Sequence, residues 1–211
     1  MQAKFIHSIH DIEASAWNDV CGDSHPFLRH QFLSALETPC LDDALGSVID
    51  DAACSDQTGW QPHHVLIYCE DNLIAVMPCY IKHHSYGEYI FDWAWAEAYH
   101  RHGIYYYPKL FCGIPFTPAT GPRIAIAPQY ANTNAVLQFA LESVKAECES
   151  LGLSSFHLLF AQQDCSEVAD SLGFTQRSSF QYHWFNRGQN NPKFQSFDEF
   201  LQGFKSRKRK A

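Results

Sequence analysis

Two apolar runs, HHVLIYCE (63–70) and LIAVMPCYIK (73–82), separated by Asp71-Asn72, restrict this chain more than any other feature. Both have strand length and strand composition, and a turn-forming pair between such runs is a hairpin signal, so the spacing predicts antiparallel neighbours. Upstream, KFIHSI alternates like a strand, while DIEASAWNDVC and FLRHQFLSALE carry apolar residues at helical spacing, with Asp11 and Pro26 near the helix starts. Thr38 to Trp60, rich in Asp, Ala and Ser, reads as a surface excursion. Downstream, AVLQFALESVKAECESLG gives an amphipathic helix from Asn132 to Gly152, with Ala135, Phe139, Leu141, Val144 and Ala146 toward its apolar side and Gly152 as its stop. SSFHLLF reads as a buried strand, CSEVADSLGF as a helix ended by Gly173, and QRSSFQYHWFNR as another strand. Ser196 and Glu199 form a capping box that opens a closing helix running to Lys210. A hairpin followed by alternating helices and strands predicts an α/β fold: one mixed sheet, with helices on its faces, that contains the hairpin, SSFHLLF and QRSSFQYHWFNR.

Composition removes several function classes. The 211 residues are 46% hydrophobic and 15% aromatic but only 18% charged, against about 25% in an average domain, which excludes a disordered chain. A formal charge of −8 argues against general nucleic-acid affinity, although the last seven residues, 205–211, hold five of the fifteen Lys and Arg. That basic end either solvates a helix terminus or offers a contact for RNA through Lys205–Lys210. Eight cysteines form no C-x-x-C pair and several lie in apolar runs, so they read as buried free thiols of a reducing, cytoplasmic setting. No apolar stretch approaches about 18 residues, so no membrane span is expected.

The segment from His83 to Gly121 packs aromatics, histidines and prolines more densely than a core of this size demands, and reads as strand, short helix and loop. Paired histidines at 63–64, 83–84 and 100/102 invite a metal, yet adjacent strand residues face opposite ways and no H-E-x-x-H or Cys/His quartet is present, so no metal site is expected. Nucleophile-elbow and phosphate-loop motifs are also missing. What remains is a set of polar residues punctuating aromatic surface: Lys82, His83, Tyr86, Glu88, Asp92, Trp93, Glu97, Tyr99, His100, Lys109 and Arg123. Aromatic walls with a few charges suit a sugar, peptide or nucleotide. Glu88, flanked by tyrosines, is a candidate general base with Asp92 beside it; alternatively both pair with nearby Lys or Arg and only hold the loop. Trp93 and Tyr99 line a ligand or pack in the core. Arg123, entering the strand after TPATGP, is an anion clamp or an ordinary surface residue.

The blocks HPFLRHQFLSALE (25–37), TGWQPHHV (58–65), YIKHHSYGEYIFDWAWAEAYHRHG (80–103), YYPKLFCGIPFTPATGPR (106–123), the LGF-to-QYHW stretch (172–184) and the closing FDEFL…SRKRK resemble the FemAB-like family of GNAT-fold proteins, associated with peptidoglycan biosynthesis or recognition. The resemblance implies a GNAT-like, mostly antiparallel sheet flanked by helices over 1–195, with 196–211 beginning a linker helix to a second GNAT-like domain in cis. It implies an acyl- or aminoacyl-transferase acting on an amine of a cell-wall precursor or peptide, with acyl-CoA or aminoacyl-tRNA as donor for the complete protein. The alternative is a recognition or supporting half-domain that binds a peptidoglycan-type ligand. The acyl-CoA loop [QR]-x-x-G-x-[GA] is absent from these residues, so no cofactor is expected on this piece.

Overall fold

A computed structural model describes residues 1–37, 59–130, 132–186 and 192–204. Of the surface excursion expected from Thr38 to Trp60, residues 38–58 lie outside the described residues, as does the basic end 205–211, while its last two residues, Gly59 and Trp60, are buried, contrary to that expectation. The chain divides into two compact units, Met1–Thr175 and Gln176–Ala211.

The first unit is a mixed α/β arrangement of two four-stranded sheets flanked by helices. One sheet has the order β1-β3-β4-β7, from β1 (Gln2–Ile6), β3 (His64–Cys69), β4 (Asn72–Met77) and β7 (Ala125–Ile126), with every pair antiparallel. The other has the order β2-β5-β6-β8, from β2 (Gln61–Pro62), β5 (Cys79–Lys82), β6 (Lys109–Cys112) and β8 (Phe156–Leu158). Its first two pairs are antiparallel and β6–β8 is parallel.

The expected hairpin is present, with Val65 opposite Met77 and Cys69 opposite Asn72. Its turn is Glu70-Asp71, one residue earlier than expected, with Glu70 at φ 55°. The expectation of a single sheet is overturned at Pro78. LIAVMPCYIK is one run of sequence but two strands, because proline has no N–H to offer a ladder, and β5 leaves the sheet that β4 belongs to.

Alternation along β3 and β4 sorts the core. Leu66 and Val76 face Trp17, Val20 and Leu33 of α1 (Ala14–Cys21) and α2 (His30–Glu37). Val65, Ile67, Ala75 and Met77 face the other side, with Val136, Leu137, Ala140, Leu141 and Val144 of α4 (Thr133–Leu151). The apolar face of α4 is therefore rotated from the expected one: Ala146 is exposed, while Val136 and Ala140 are buried. Asn132 caps its start, accepting from the Ala135 N–H, and Gly152 ends it in the left-handed region, φ 64° and ψ 30°. Helix α5 (Gln163–Ser171) and the surface helix α3 (Trp93–Arg101) complete the unit.

In the second unit, 176–186 has no strand pairing, contrary to expectation. Its alternating aromatics fit a strand, but the described residues of the unit supply no edge for it to pair with. Asn186 instead clamps Phe194, donating from Nδ2 to its carbonyl at 3.1 Å and accepting its N–H at 2.9 Å. Helix α6 (Phe197–Gln202) starts at Ser196, whose hydroxyl accepts from the Glu199 N–H, while the Glu199 carboxylate takes the N–H of Gln195. It ends at Gly203 instead of running on to Lys210. Trp184, Phe194, Phe197 and Phe200 line an apolar groove of about 440 Å³ in this unit.

Candidate functional site

The ladder between β5 and β6 sets Lys82 opposite Lys109, both 0% exposed. Like charges facing each other across a strand pair are destabilising, and a buried ammonium costs several kcal/mol unless paired. The loop that follows β5 answers by folding Ser85, Glu88 and Asp92 inward, all three buried. Lys109 Nζ donates to Glu88 Oε2 at 2.9 Å, Asp92 Oδ2 at 2.9 Å and Ser85 Oγ at 2.8 Å, which uses all three of its protons. The Ser85 hydroxyl donates in turn to Asp92 Oδ2 at 2.9 Å, so at the 2.7 Å contact between the two hydroxyls Tyr107 is the donor. Tyr106 completes the network with a 2.8 Å bond to Asp92 Oδ2.

Lys82 is treated differently. Its Nζ donates to the Tyr86 carbonyl at 3.1 Å and lies 3.5 Å from the centroid of the Trp60 ring. Burial pushes this amine down to about 7; Glu88 partly offsets the effect, and the Lys109 charge adds to it. Burial raises the Glu88 carboxyl, against the pull of Lys109. At Asp92 burial also pushes upward, but the hydrogen bond and charge of Lys109, with the hydroxyls of Ser85 and Tyr106, prevail and lower it. Glu88 Oε1 and Asp92 Oδ1 have no hydrogen-bond partner among the described residues. The arrangement thus holds an amine that changes charge near neutrality beside a carboxyl whose proton is retained above its usual range.

The loop over these groups depends on Gly87, at φ 79°, where a Cβ would stand 2.6 Å from the Phe116 ring. Above it lies an aromatic shelf. Tyr86 packs on Trp93 at 5.2 Å and on His84 at 5.0 Å, and Tyr99 meets Tyr106 edge-on at 5.1 Å. Helix α3 buries none of its residues, with Trp93 45% and Trp95 48% exposed, so core packing does not explain this Trp pair. Glu97 pairs with Arg101 along the helix at 2.6 Å, and His83 and His100 are exposed.

Of the sequence-derived candidates, Lys82, Glu88, Asp92 and Lys109 come together in the buried network, and Tyr86, Trp93 and Tyr99 belong to the shelf above it. Arg123 stands apart: it is buried, and its Nε donates to the Leu159 carbonyl at 2.7 Å. Ser85, Tyr106, Tyr107 and Trp60 were missed. The available signal was Lys109 itself, a cation opening the strand KLFC, all four of whose residues are buried, which requires partners from elsewhere.

A second buried pair joins helix to sheet. The Cys79 N–H donates to His64 Nδ1 at 3.1 Å, so the ring proton sits on Nε2 and is given to Glu37 Oε1 at 2.7 Å. The other Glu37 oxygen takes the N–H of Ile9 at 2.8 Å. Among the described residues no group of three or more His, Cys, Asp or Glu is arranged to hold a metal ion, and no helix is long and apolar enough to cross a membrane. All six described cysteines are free thiols, five of them buried.

Residues 8–211 match the FemAB-like family, described as peptidoglycan biosynthesis/recognition, and the chain belongs to that family. No curated protein matches it. Among solved structures, it is similar to a probable acetyltransferase, with 12% identity over 90% of this chain and 100% of that one and a TM-score of 0.47. It is also similar to the aminoglycoside antibiotic 6'-N-acetyltransferase AAC(6')-IG from Acinetobacter haemolyticus, with 13% identity over 89% and 100% and a TM-score of 0.42. A possible acetyltransferase from Clostridium difficile 630 shares 8% identity over 88% and 98%, with a TM-score of 0.46.

Proposed function

We propose that this chain recognises the acceptor, an amine-bearing cell-wall precursor or peptide, for a FemAB-like acyl- or aminoacyl-transferase of the cytoplasm. The observation that carries this reading is the exposed pair of Tyr86 and Trp93, packed at 5.2 Å, on the loop and helix that follow a buried ionic anchor, since aromatic faces stack on sugar rings and on peptide groups. A second GNAT-like domain in cis, entered through the helix that begins at 196, would hold the donor, acyl-CoA or aminoacyl-tRNA, and Lys205–Lys210 would meet the RNA.

A second reading, catalysis by this chain itself, is favoured by the pairing of Lys82, held to about 7, with Glu88, raised by burial. Either could take the proton that the acceptor amine loses as it attacks the donor carbonyl. One experiment separates the two. A soluble muropeptide is titrated against the protein with tryptophan fluorescence as readout, and the same mixture is assayed for mass gain with aminoacyl-tRNA or acyl-CoA. Recognition requires binding that is lost in Trp93→Ala/Trp95→Ala without loss of thermal midpoint; absence of binding by the wild type overturns it. Mass gain that disappears in Glu88→Gln establishes the second reading.

A further inference from the structure

Strand β1 pairs with β3 in a register that sets Lys4 opposite Leu66 and Ile6 opposite His64. Carried one step past the last ladder pair, that register sets His7 opposite His63, and side chains directly opposite one another stand close. The two rings do meet there: His63 Nδ1 is 3.3 Å from His7 Nδ1, with the ring centroids 5.0 Å apart. His63 is buried and His7 is exposed, so the pair is open to solvent on the His7 side. The adjacent histidines 63 and 64 face opposite ways, toward Glu147 and Glu37, as a strand requires. The second imidazole for His63 comes instead from across the ladder.

Both residues are held in place. His63 stacks on Phe5 at 5.1 Å and an interplanar angle of 24°, and its backbone N–H donates to the Cys79 carbonyl at 2.8 Å. Its Nε2 lies 2.9 Å from Glu147 Oε1 on α4. A carboxylate can only accept, so Nε2 carries the proton of the neutral ring and Nδ1 keeps a lone pair facing His7. His7 therefore donates from its own Nδ1, and its backbone N–H is fixed by Asp11 Oδ2 at 3.1 Å.

We infer that His7 Nδ1 and His63 Nδ1 form a site for a divalent transition-metal ion of the zinc class, with Glu147 orienting His63 from behind. Two ring nitrogens bound to zinc at about 2.0–2.1 Å in tetrahedral geometry stand about 3.3–3.4 Å apart, and these two are 3.3 Å apart. When the ion takes the place of the proton between the rings, that proton moves to Nε2 of His7, and neither ring changes charge. A carboxylate that accepts from the far nitrogen of a ligating histidine fixes its tautomer and raises its basicity; Glu147 stands in that place. Imidazole suits zinc, copper and nickel, whereas magnesium and calcium take oxygen ligands. The protein supplies two ligands, in keeping with the absence, among the described residues, of any group of three or more His, Cys, Asp or Glu arranged for a metal. Water fills the remaining positions. This site goes beyond the recognition reading and shares no residue with the aromatic shelf.

The test is a titration of the full chain with zinc chloride at about pH 7.5, above the usual histidine value, read by NMR at the ring resonances of each histidine. The expected result is a saturable, one-to-one shift of the His7 and His63 resonances together, with magnesium chloride moving neither. His7→Ala, at an exposed position, should abolish the response at His63. Glu147→Gln should keep the stoichiometry and weaken binding by about 10- to 100-fold; unchanged affinity would overturn the part given to the carboxylate. Zinc that shifts only other histidines, or that still shifts His63 in His7→Ala, overturns the site. Zinc bound at these rings by a protein that ignores the muropeptide would refute the recognition reading and leave this site standing; the reverse pair of results would do the opposite.

Discussion

Lys82 and Lys109 are register partners across the β5–β6 ladder, yet only Lys109 is neutralised, by Glu88 and Asp92. The loop that leaves Lys82 supplies both carboxylates to its neighbour. One lysine is thereby held in two ion pairs, while the other is left as an amine near its titration point.

Stability should therefore rise with pH above neutrality. The folded-state value of Lys82, about 7, lies below its unfolded value of about 10.4. Between the two the unfolded chain binds the extra proton, so raising the pH favours the folded state. Urea denaturation at constant ionic strength should show this rise in the wild type. Lys82→Met should flatten it and be the more stable protein at neutral pH. An unchanged slope in the variant would mean that Lys82 is charged when folded.

Removing Lys109 should be among the costliest single changes in the molecule. Lys109→Met strands two buried carboxylates, at a cost of about 3–5 kcal/mol. The triple change Lys109→Met, Glu88→Gln and Asp92→Asn removes the charges together and should recover much of the loss. Equilibrium unfolding of the single and triple variants measures the difference, and a triple variant no better than the single would show that packing, not charge, dominates the site.

Glu37→Gln should cost about 1–3 kcal/mol despite its near-identical shape. The carboxylate accepts on both sides, from His64 Nε2 and from the Ile9 N–H, and an amide must turn one N–H against a donor. Denaturant midpoints of Glu37→Gln and Glu37→Ala give the comparison.

Trp93→Ala and Trp95→Ala should leave stability within about 0.5 kcal/mol, because α3 buries none of its residues. Their effect belongs to ligand affinity, read by titration of a muropeptide. A large loss of thermal midpoint would place the helix in the core after all.

How far the sequence could be read depends on whether the cause was local. The β3–β4 hairpin and the start and stop of α4 were legible because period, turn and caps lie within the residues concerned. The split at Pro78 was not, since a proline at a strand end and one between two sheets look alike without the partners. The failure at 176–186 has the same origin: aromatic alternation names a face, not the edge it needs. Within the site, Glu88, Asp92 and Lys109 were visible as charges in an aromatic segment. The roles of Ser85, Tyr106 and Tyr107 follow only once β6 brings Lys109 beside the loop after β5.

Because β4 and β5 are one covalent run through Pro78, the two sheets cannot change register independently. A slip of one residue turns every side chain of a strand to the opposite face. If β4 slid along β3, β5 would be dragged along β6, separating the Cys79 N–H from His64 and Lys82 from its place opposite Lys109. The buried histidine and the buried lysine pair thus act as checks at the two ends of a single ruler, each rejecting misalignments that begin at the other.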